Sequence, residues 1–400
     1  MAPHATDSSV GRIRSARLAI GAVFFVNGMT FASWSPRLPE IQERLDVSDT
    51  ALGVTLVGMG VGGLAASLSS GWMVDRFGSR TMTVCTSATL CVFLPLMGVA
   101  PTAVLVFATL ITLGALDGLT DVAMNAQAVE LQRRVGTSII TRFHAAWSAG
   151  AVAGGVVASR AADAGVSMRA QLVVTSVVLI AVTLASTTWL LPDHGAHVGA
   201  DGSEAGGGER TSPRGILLRL FLVGLAVALA ESPPVEWAAL MMAQRFDVGP
   251  GGAGLGFVAV AVGMFVGRLI GDAATDRFGL ERTRRGGAAL AAAGTIIATL
   301  GPHVALAGAG LFVTGVGLSS LFPLLFRAAS DLTRGSHSGM AAFSSGARLG
   351  ILAASPAVGL IAGGVSIAVA VLVVAGGAAM AVAASRLPRS AVSELAADSL

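Results

Sequence analysis

Asp75-Arg76-Phe77-Gly78 and Asp276-Arg277-Phe278-Gly279 are one tetrapeptide written twice, 276 − 75 = 201 residues apart. A second pair, Arg44-Leu45-Asp46-Val47 and Arg245-Phe246-Asp247-Val248, keeps the same offset, 245 − 44 = 201. Two separate matches in one register are an internal repeat, and each copy spans half of the chain. Phe143 and Gly150 recur as Phe343 and Gly350 at an offset of 200.

The tetrapeptides punctuate long apolar runs. Of 400 residues, 54% are hydrophobic and 12% charged, with a mean hydropathy of +0.75. A soluble globular chain carries roughly 25% charged residues. Half that fraction leaves too little polar surface to face water, so lipid must cover the rest. The 52 glycines fit close helix packing in a membrane. The net charge of +3 gives no reason to expect nucleic acid, and all 26 basic residues are arginine. Cys85 and Cys91 share one apolar run and read as small buried residues; neither a disulfide framework nor a metal site follows from two cysteines at this spacing.

A membrane helix needs roughly 20 apolar residues. Residues 18–36 and 50–74 each make one span; 81–116 is long enough for two, turning at Pro101; 143–159 and 170–192 follow. The second half repeats the plan with 216–240, 253–274, a pair in 286–326 turning at Pro302, and a pair in 339–385 turning near Gly363 and Gly364. The expectation is an all-α membrane protein of about twelve transmembrane helices, in two six-helix halves forming a parallel repeat. The corresponding division is a cytoplasmic tail (1–17), a first half (18–191), a flexible linker (192–214) rich in Gly and acidic residues, a second half (215–386) and a second tail (387–400). The termini and even-numbered connections hold seventeen arginines and the odd connections five, which places both termini in the cytoplasm by the positive-inside rule. Arg142, Arg268, Arg327 and Arg348 lie inside spans or at their edges.

The stretch Gly71-Trp72-Met73-Val74-Asp75-Arg76-Phe77-Gly78-Ser79-Arg80 resembles the signature loop between the second and third helices of the major facilitator superfamily. Ser79 departs from it, where a basic residue is usual; the second copy has Asp272 at the Gly71 position and Glu281 where a basic residue is common. The wording Asp121-Val-Ala-Met-Asn125-Ala-Gln-Ala128 and Phe143-His144-Ala-Ala-Trp147-Ser148 is similar to a poorly characterised bacterial branch, distantly related to fucose-type sugar:proton permeases. The resemblance implies the major facilitator fold and a conformational clasp made of Gly71, Asp75, Arg76, Gly78 and Arg80 with Asp272, Asp276, Arg277 and Gly279. In such a clasp a carboxylate meets the positive start of a helix in the other half. Asp75 would meet residues 336–340, and Asp276 residues 137–141.

Charges inside a bilayer cost at least ~2.5–3.5 kcal/mol on insertion scales, so their presence points to function. On the fourth span Asp117, Asp121 and Asn125 recur every four residues and share one face. Counted from Ala103, Asp117 lies roughly 21 Å down the helix, just past the midplane. Asp117 and Asp121 are proton-coupling candidates, as are His144 on the fifth span and Glu231 on the seventh. Candidate cavity residues are Asn27 and Trp34 on the first span, with Asn125, Trp147, Glu236 and Arg348. Pro233 and Pro234 remove two backbone donors, so the seventh span is expected to break there, with Trp237 as an interfacial anchor. Gly58-Met59-Gly60-Val61-Gly62-Gly63 mimics a dinucleotide fingerprint but lies inside a span, where it packs helices. No nucleotide, cofactor, metal or nucleic-acid site is expected, and no enzymatic activity. The expected partners are the lipid bilayer of a bacterial inner membrane, a small solute and protons. Proton-coupled import of a polar, sugar-like solute, proton-driven efflux, and a non-transporting sensor all remain open at this point.

Overall fold

The computed structural model describes residues 4–136, 139–192, 214–332 and 337–385. Most of the linker expected at 192–214 and the tail at 387–400 lie outside them. The helices of the first half are α1 (His4–Ala32), α2 (Leu38–Leu45), α3 (Asp49–Ser67), α4 (Ser70–Phe77), α5 (Ser79–Phe93), α6 (Ala103–Val135), α7 (Ile140–Asp163) and α8 (Met168–Ser186). Those of the second are α9 (Arg214–Arg245), α10 (Pro250–Phe278), α11 (Leu280–Leu300), α12 (Val304–Leu318), α13 (Leu321–Leu332), α14 (His337–Gly364), α15 (Ile367–Val371) and α16 (Gly377–Ala384). Among the described residues, 10 segments are long and apolar enough to cross a membrane. The 24-residue α7 and the 21-residue α11 have the length but are less apolar, and counting them brings the spans to twelve. The turns fall at Pro101, at Pro302 and after Gly364; at the first two a proline between apolar runs cannot continue the helix, and at the third Ser366 caps the next one.

Two compact units result: Met1–Asp201 with Asp247–Val258, and Gly202–Phe246 with Ala259–Leu400. The first includes the tip of α10, where Phe257 lies 6.3 Å from Phe31.

The repeat is visible in the packing. In the first unit a Cβ on Gly62 would strike the Ile111 carbonyl, and one on Gly114 the Met59 carbonyl. In the second, Gly263 faces Phe312 and Gly315 faces Val260 in the same way. Every pair differs by 201 (263 − 62, 312 − 111, 315 − 114, 260 − 59). The α1–α7 and α9–α14 interfaces use another register. Gly28 faces Trp147 and Gly150 faces Phe25; Gly224 faces Phe343 and Gly346 faces Phe221. Here the differences are 224 − 28 = 196 and 346 − 150 = 196. The counterpart of Gly150 is therefore Gly346, which corrects the Gly150–Gly350 match read from the sequence.

The change of register places five extra residues in the second half. They fall between Ala228, the counterpart of Ala32, and Arg245, the counterpart of Arg44. The first half breaks over this stretch, and the second does not. α1 ends at Ala32, a 3-10 turn covers Ser35–Arg37, and α2 then restarts with proline in its first turn, where no donor is needed. Buried Arg37 holds the break, donating to Glu40 at 2.6 Å and to the Val166 carbonyl at 2.8 Å. The break expected at Pro233-Pro234 does not occur: α9 runs unbroken through both prolines, which are buried. In lipid a broken helix exposes more unpaired backbone than two missing donors do, and neighbouring helices can cover the freed carbonyls.

Both repeated tetrapeptides have a local cause. Gly78 and Gly279 sit at φ 84° and 81° with extended ψ, a conformation open essentially to glycine alone, and each starts the next helix. Arg44 donates to the carbonyls of Met97 at 2.7 Å and Gly98 at 3.0 Å. Its counterpart Arg245 donates to Ala298 at 2.6 Å and Gly301 at 2.9 Å. The two arginines cap the ends of equivalent helices, where the carbonyls lack helical partners. Arg44→Ala and Arg245→Ala are each expected to lower the thermal unfolding midpoint in detergent by about 2–4 °C, from the loss of charge-assisted bonds. A scan of both variants that overlays wild type would remove the clamp.

Candidate functional site

In the first unit the long α6 carries Asp117, Asp121 and Asn125 on one face, because a spacing of four brings side chains into line. Asp117 is half-buried and Asp121 exposed, so the two carboxylates of the stripe differ in their environment. Asn27 on α1 donates from Nδ2 to Asp117 Oδ1 at 2.8 Å. Trp147 on α7 donates from Nε1 to Asn27 Oδ1, also at 2.8 Å. Three spans are thus joined by one chain, Trp147 to Asn27 to Asp117. The close approach of Gly28 to the Trp147 backbone brings α1 and α7 near enough for it. Asn125 donates to Asp121 Oδ1 at 3.0 Å and to the Asp121 carbonyl at 2.8 Å. The exposed His144 meets the ring of Phe24 edge-on at 5.4 Å. Trp34 is 4% exposed and packs edge-on against Phe31 at 5.3 Å, a core position.

The second unit holds a parallel arrangement. Trp237 donates from Nε1 to Ser355 Oγ at 3.4 Å, and Ser355 Oγ donates to the Glu236 carboxylate. Trp237 is 0% exposed, which excludes the interfacial anchoring expected for it. The five extra residues of α9 keep its helix going past this point and carry Glu236 and Trp237 onto the α14 interface. Glu231, one and a half turns earlier, interacts electrostatically with Arg268 on α10. Arg348 is exposed on α14. Sequence reasoning passed over Ser355, since a serine in an apolar helix carries no signal of its own. Arg268 did carry one, as a charge inside the run 253–274.

In the loops expected to form the clasp, Asp75, Arg76, Asp276 and Arg277 are all exposed. Each arginine lies over the next phenylalanine, at 6.0 Å for Arg76 and 5.7 Å for Arg277. A Cβ on Gly71 would meet open space, and the Asp272 side chain lies outside the described ones. The receiving stretches 137–141 and 336–340 lie partly outside the described residues. Arg80 donates to the Thr187 carbonyl at 2.7 Å, fastening α5 to the end of α8. Ser79 accepts from Gln127 Nε2 at 2.7 Å, and Gln127 also pairs with the Leu191 backbone, so the departure from the signature serves the same junction.

Twelve spans in two repeated halves, with hydrogen-bonded carboxylates inside the spans, define a secondary-transporter architecture. The family model of the Major Facilitator Superfamily matches residues 20–234, and the chain belongs to that superfamily. It is 30% identical over 366 residues to an uncharacterized MFS-type transporter of Yersinia pestis, covering 91% of this chain and 92% of that protein. It is 27% identical over 350 residues to the membrane protein MosC of Rhizobium meliloti, covering 87% and 84%. Among solved structures it shares the fold of the nucleoside transporter NupG, with a TM-score of 0.74 at 13% identity over 92% of this chain and 98% of that one. The xylose transporter XylE from E. coli gives 0.71 at 13% identity over 93% and 96%, and FucP in its outward conformation 0.61 at 14% over 92% and 98%.

Proposed function

We propose that this chain imports a small polar solute with sugar-like or nucleoside-like chemistry together with protons, by alternating access in a bacterial inner membrane with both termini in the cytoplasm. The observation that carries the reading is the Trp147–Asn27–Asp117 chain, with its middle member buried. It places an aromatic face, suited to stacking against a ring, two hydrogen bonds from a carboxylate able to take a proton. Asp117 and Asp121 form the coupling pair, the first engaged by Asn27 from another span and the second exposed and engaged by Asn125 on its own helix. Glu231, Glu236 and Arg268 furnish the polar groups of the second half. The fold neighbours named as a nucleoside transporter, a xylose transporter and a fucose:proton symporter support this solute class.

The test is uptake into proteoliposomes of labelled pentoses, hexoses and nucleosides under an imposed pH gradient. Accumulation of at least one, abolished by a protonophore, is expected. Accumulation in the reverse sense would make the chain an exporter. No solute movement in either direction, from folded protein, would sink the reading.

A further inference from the structure

The atoms of the Trp147–Asn27–Asp117 chain allow one orientation only. An indole Nε1–H donates and cannot accept. The group of Asn27 that faces it at 2.8 Å must therefore be Oδ1. This leaves the amide Nδ2, donor only, 2.8 Å from Asp117 Oδ1. A flipped amide would set two donors against each other at Trp147 and two oxygens against each other at Asp117. Asn27 is 4% exposed, so water does not replace either bond. Asp117 Oδ1 is thus held as an acceptor, and a proton that reaches this carboxyl sits on Oδ2.

Hydrogen bonds to an ionised acceptor are roughly twice as strong as those between neutral groups, and bonds in a chain polarise one another. A charge on Asp117 tightens the Asn27 bond, and the polarised amide oxygen then tightens the bond to Trp147. We propose that Asn27 is a positioning residue tying the Trp147 indole to the charge on Asp117, so that the ring is held fast while the carboxylate is ionised and loosens when Oδ2 takes a proton. This deepens the reading of Asp117 as a coupling carboxylate and rests on it for its use in transport. A ring that stacks on solute then presents itself differently to the protonated and the deprotonated carrier, by way of an amide that itself never titrates.

The other titratable groups on the elements around Asp117 are placed differently. Asp121, one turn along α6, accepts from Asn125. His144 on α7 packs on Phe24, and Cys91 on α5 lies 4.0 Å from the Thr30 hydroxyl. Arg17 on α1 is ten residues, about 15 Å, from Asn27, and Asp75 and Arg80 belong to the loop end of their helices.

The test is intrinsic fluorescence of the purified, solute-free carrier as a function of pH, with the Trp147→Phe spectrum subtracted to isolate Trp147. Wild type is expected to show a pH-dependent shift of this component. Asp117→Asn, which keeps size and the acceptor oxygen, is expected to lose the shift and to show the acid-form spectrum at every pH. Asn27→Ala is expected to lose it too, while Asp121→Asn keeps it. A shift that survives in Asp117→Asn, or in folded Asn27→Ala with unchanged amplitude and midpoint, overturns the proposal. If Asn27→Ala does not fold, the near-isosteric Asp117→Asn variant decides alone. The measurement needs no solute, so it fails or succeeds independently of the transport reading.

Discussion

Asp117→Asn is expected to abolish uphill solute accumulation driven by a pH gradient, down to the level of protein-free vesicles, while solute exchange at equal concentrations continues. A coupled carrier must return empty only in the correct protonation state, and an amide removes the distinction between states. The side chain keeps its volume, and its carbonyl oxygen can still accept from Asn27, which now stands 2.8 Å from Asp117 Oδ1. Folding is therefore spared, and the loss falls on coupling. Asp121 sits one turn away on the same face, and the two carboxylates repel when both are ionised. For that reason the decisive variant is the double one, Asp117→Asn with Asp121→Asn. Solute-driven proton flux should vanish in it. Flux equal to wild type would reduce the stripe to a structural hydrogen-bonded seam, and the carboxylates of the second half, Glu231 first, would become the coupling candidates.

How far the sequence carries this molecule depends on the range of each signal. The spans were legible because lipid imposes a length and a composition on every one of them. The turns were legible because Pro101 and Pro302 interrupt the apolar runs. The α6 stripe was legible because helical periodicity alone aligns Asp117, Asp121 and Asn125. What failed was decided between helices. Pro233-Pro234 reads as a break when only the local backbone is considered, but α9 stays helical inside its packed unit, and the break falls in the first half at Ser35–Arg37. Trp237 reads as an anchor beside a charge, yet its indole is buried against Ser355. The pairing of Asn27 with both Trp147 and Asp117 links residues 120 and 90 positions apart, and no local pattern announces it. The register change from 201 to 196 was hidden for the same reason. Glycines abound here, and only the backbone that each one touches tells which match is structural.

Arg284→Met is expected to be among the most destabilising substitutions in the chain, and the reason lies in what happened to the signature loop in its second copy. In the first half Arg80 opens α5 and donates to the Thr187 carbonyl just past the end of α8, at 2.7 Å. The residue 201 positions on is Glu281, an acid in place of a base. The junction survives because Arg284, one turn further along α11, has taken the task. It is 0% exposed and donates from two nitrogens to the Glu281 carboxylate at 2.9 and 2.7 Å, to the Val382 carbonyl at 2.7 Å and to Ser385 Oγ and O at 2.8 and 2.9 Å. Those carbonyls end α16, where a cation also opposes the helix dipole. Removing the guanidinium takes away a buried cation that gathers the end of α16, with several charge-assisted bonds worth about 1.5–3 kcal/mol each. Arg80→Ala gives up the charge-assisted bond to the Thr187 carbonyl, worth about 1.5–3 kcal/mol. Adding Glu281→Gln to Arg284→Met should change little, since the Glu281 side chain is 49% exposed and its carboxylate returns to water. Arg284→Lys should restore little, since an ammonium cannot serve Glu281 and Ser385 with one planar fork. The measurement is the yield and thermal midpoint of the folded carrier in detergent for all four variants. If Arg284→Met proves no worse than Arg80→Ala, the second junction does not depend on this residue and Glu281 is a bare departure from the motif.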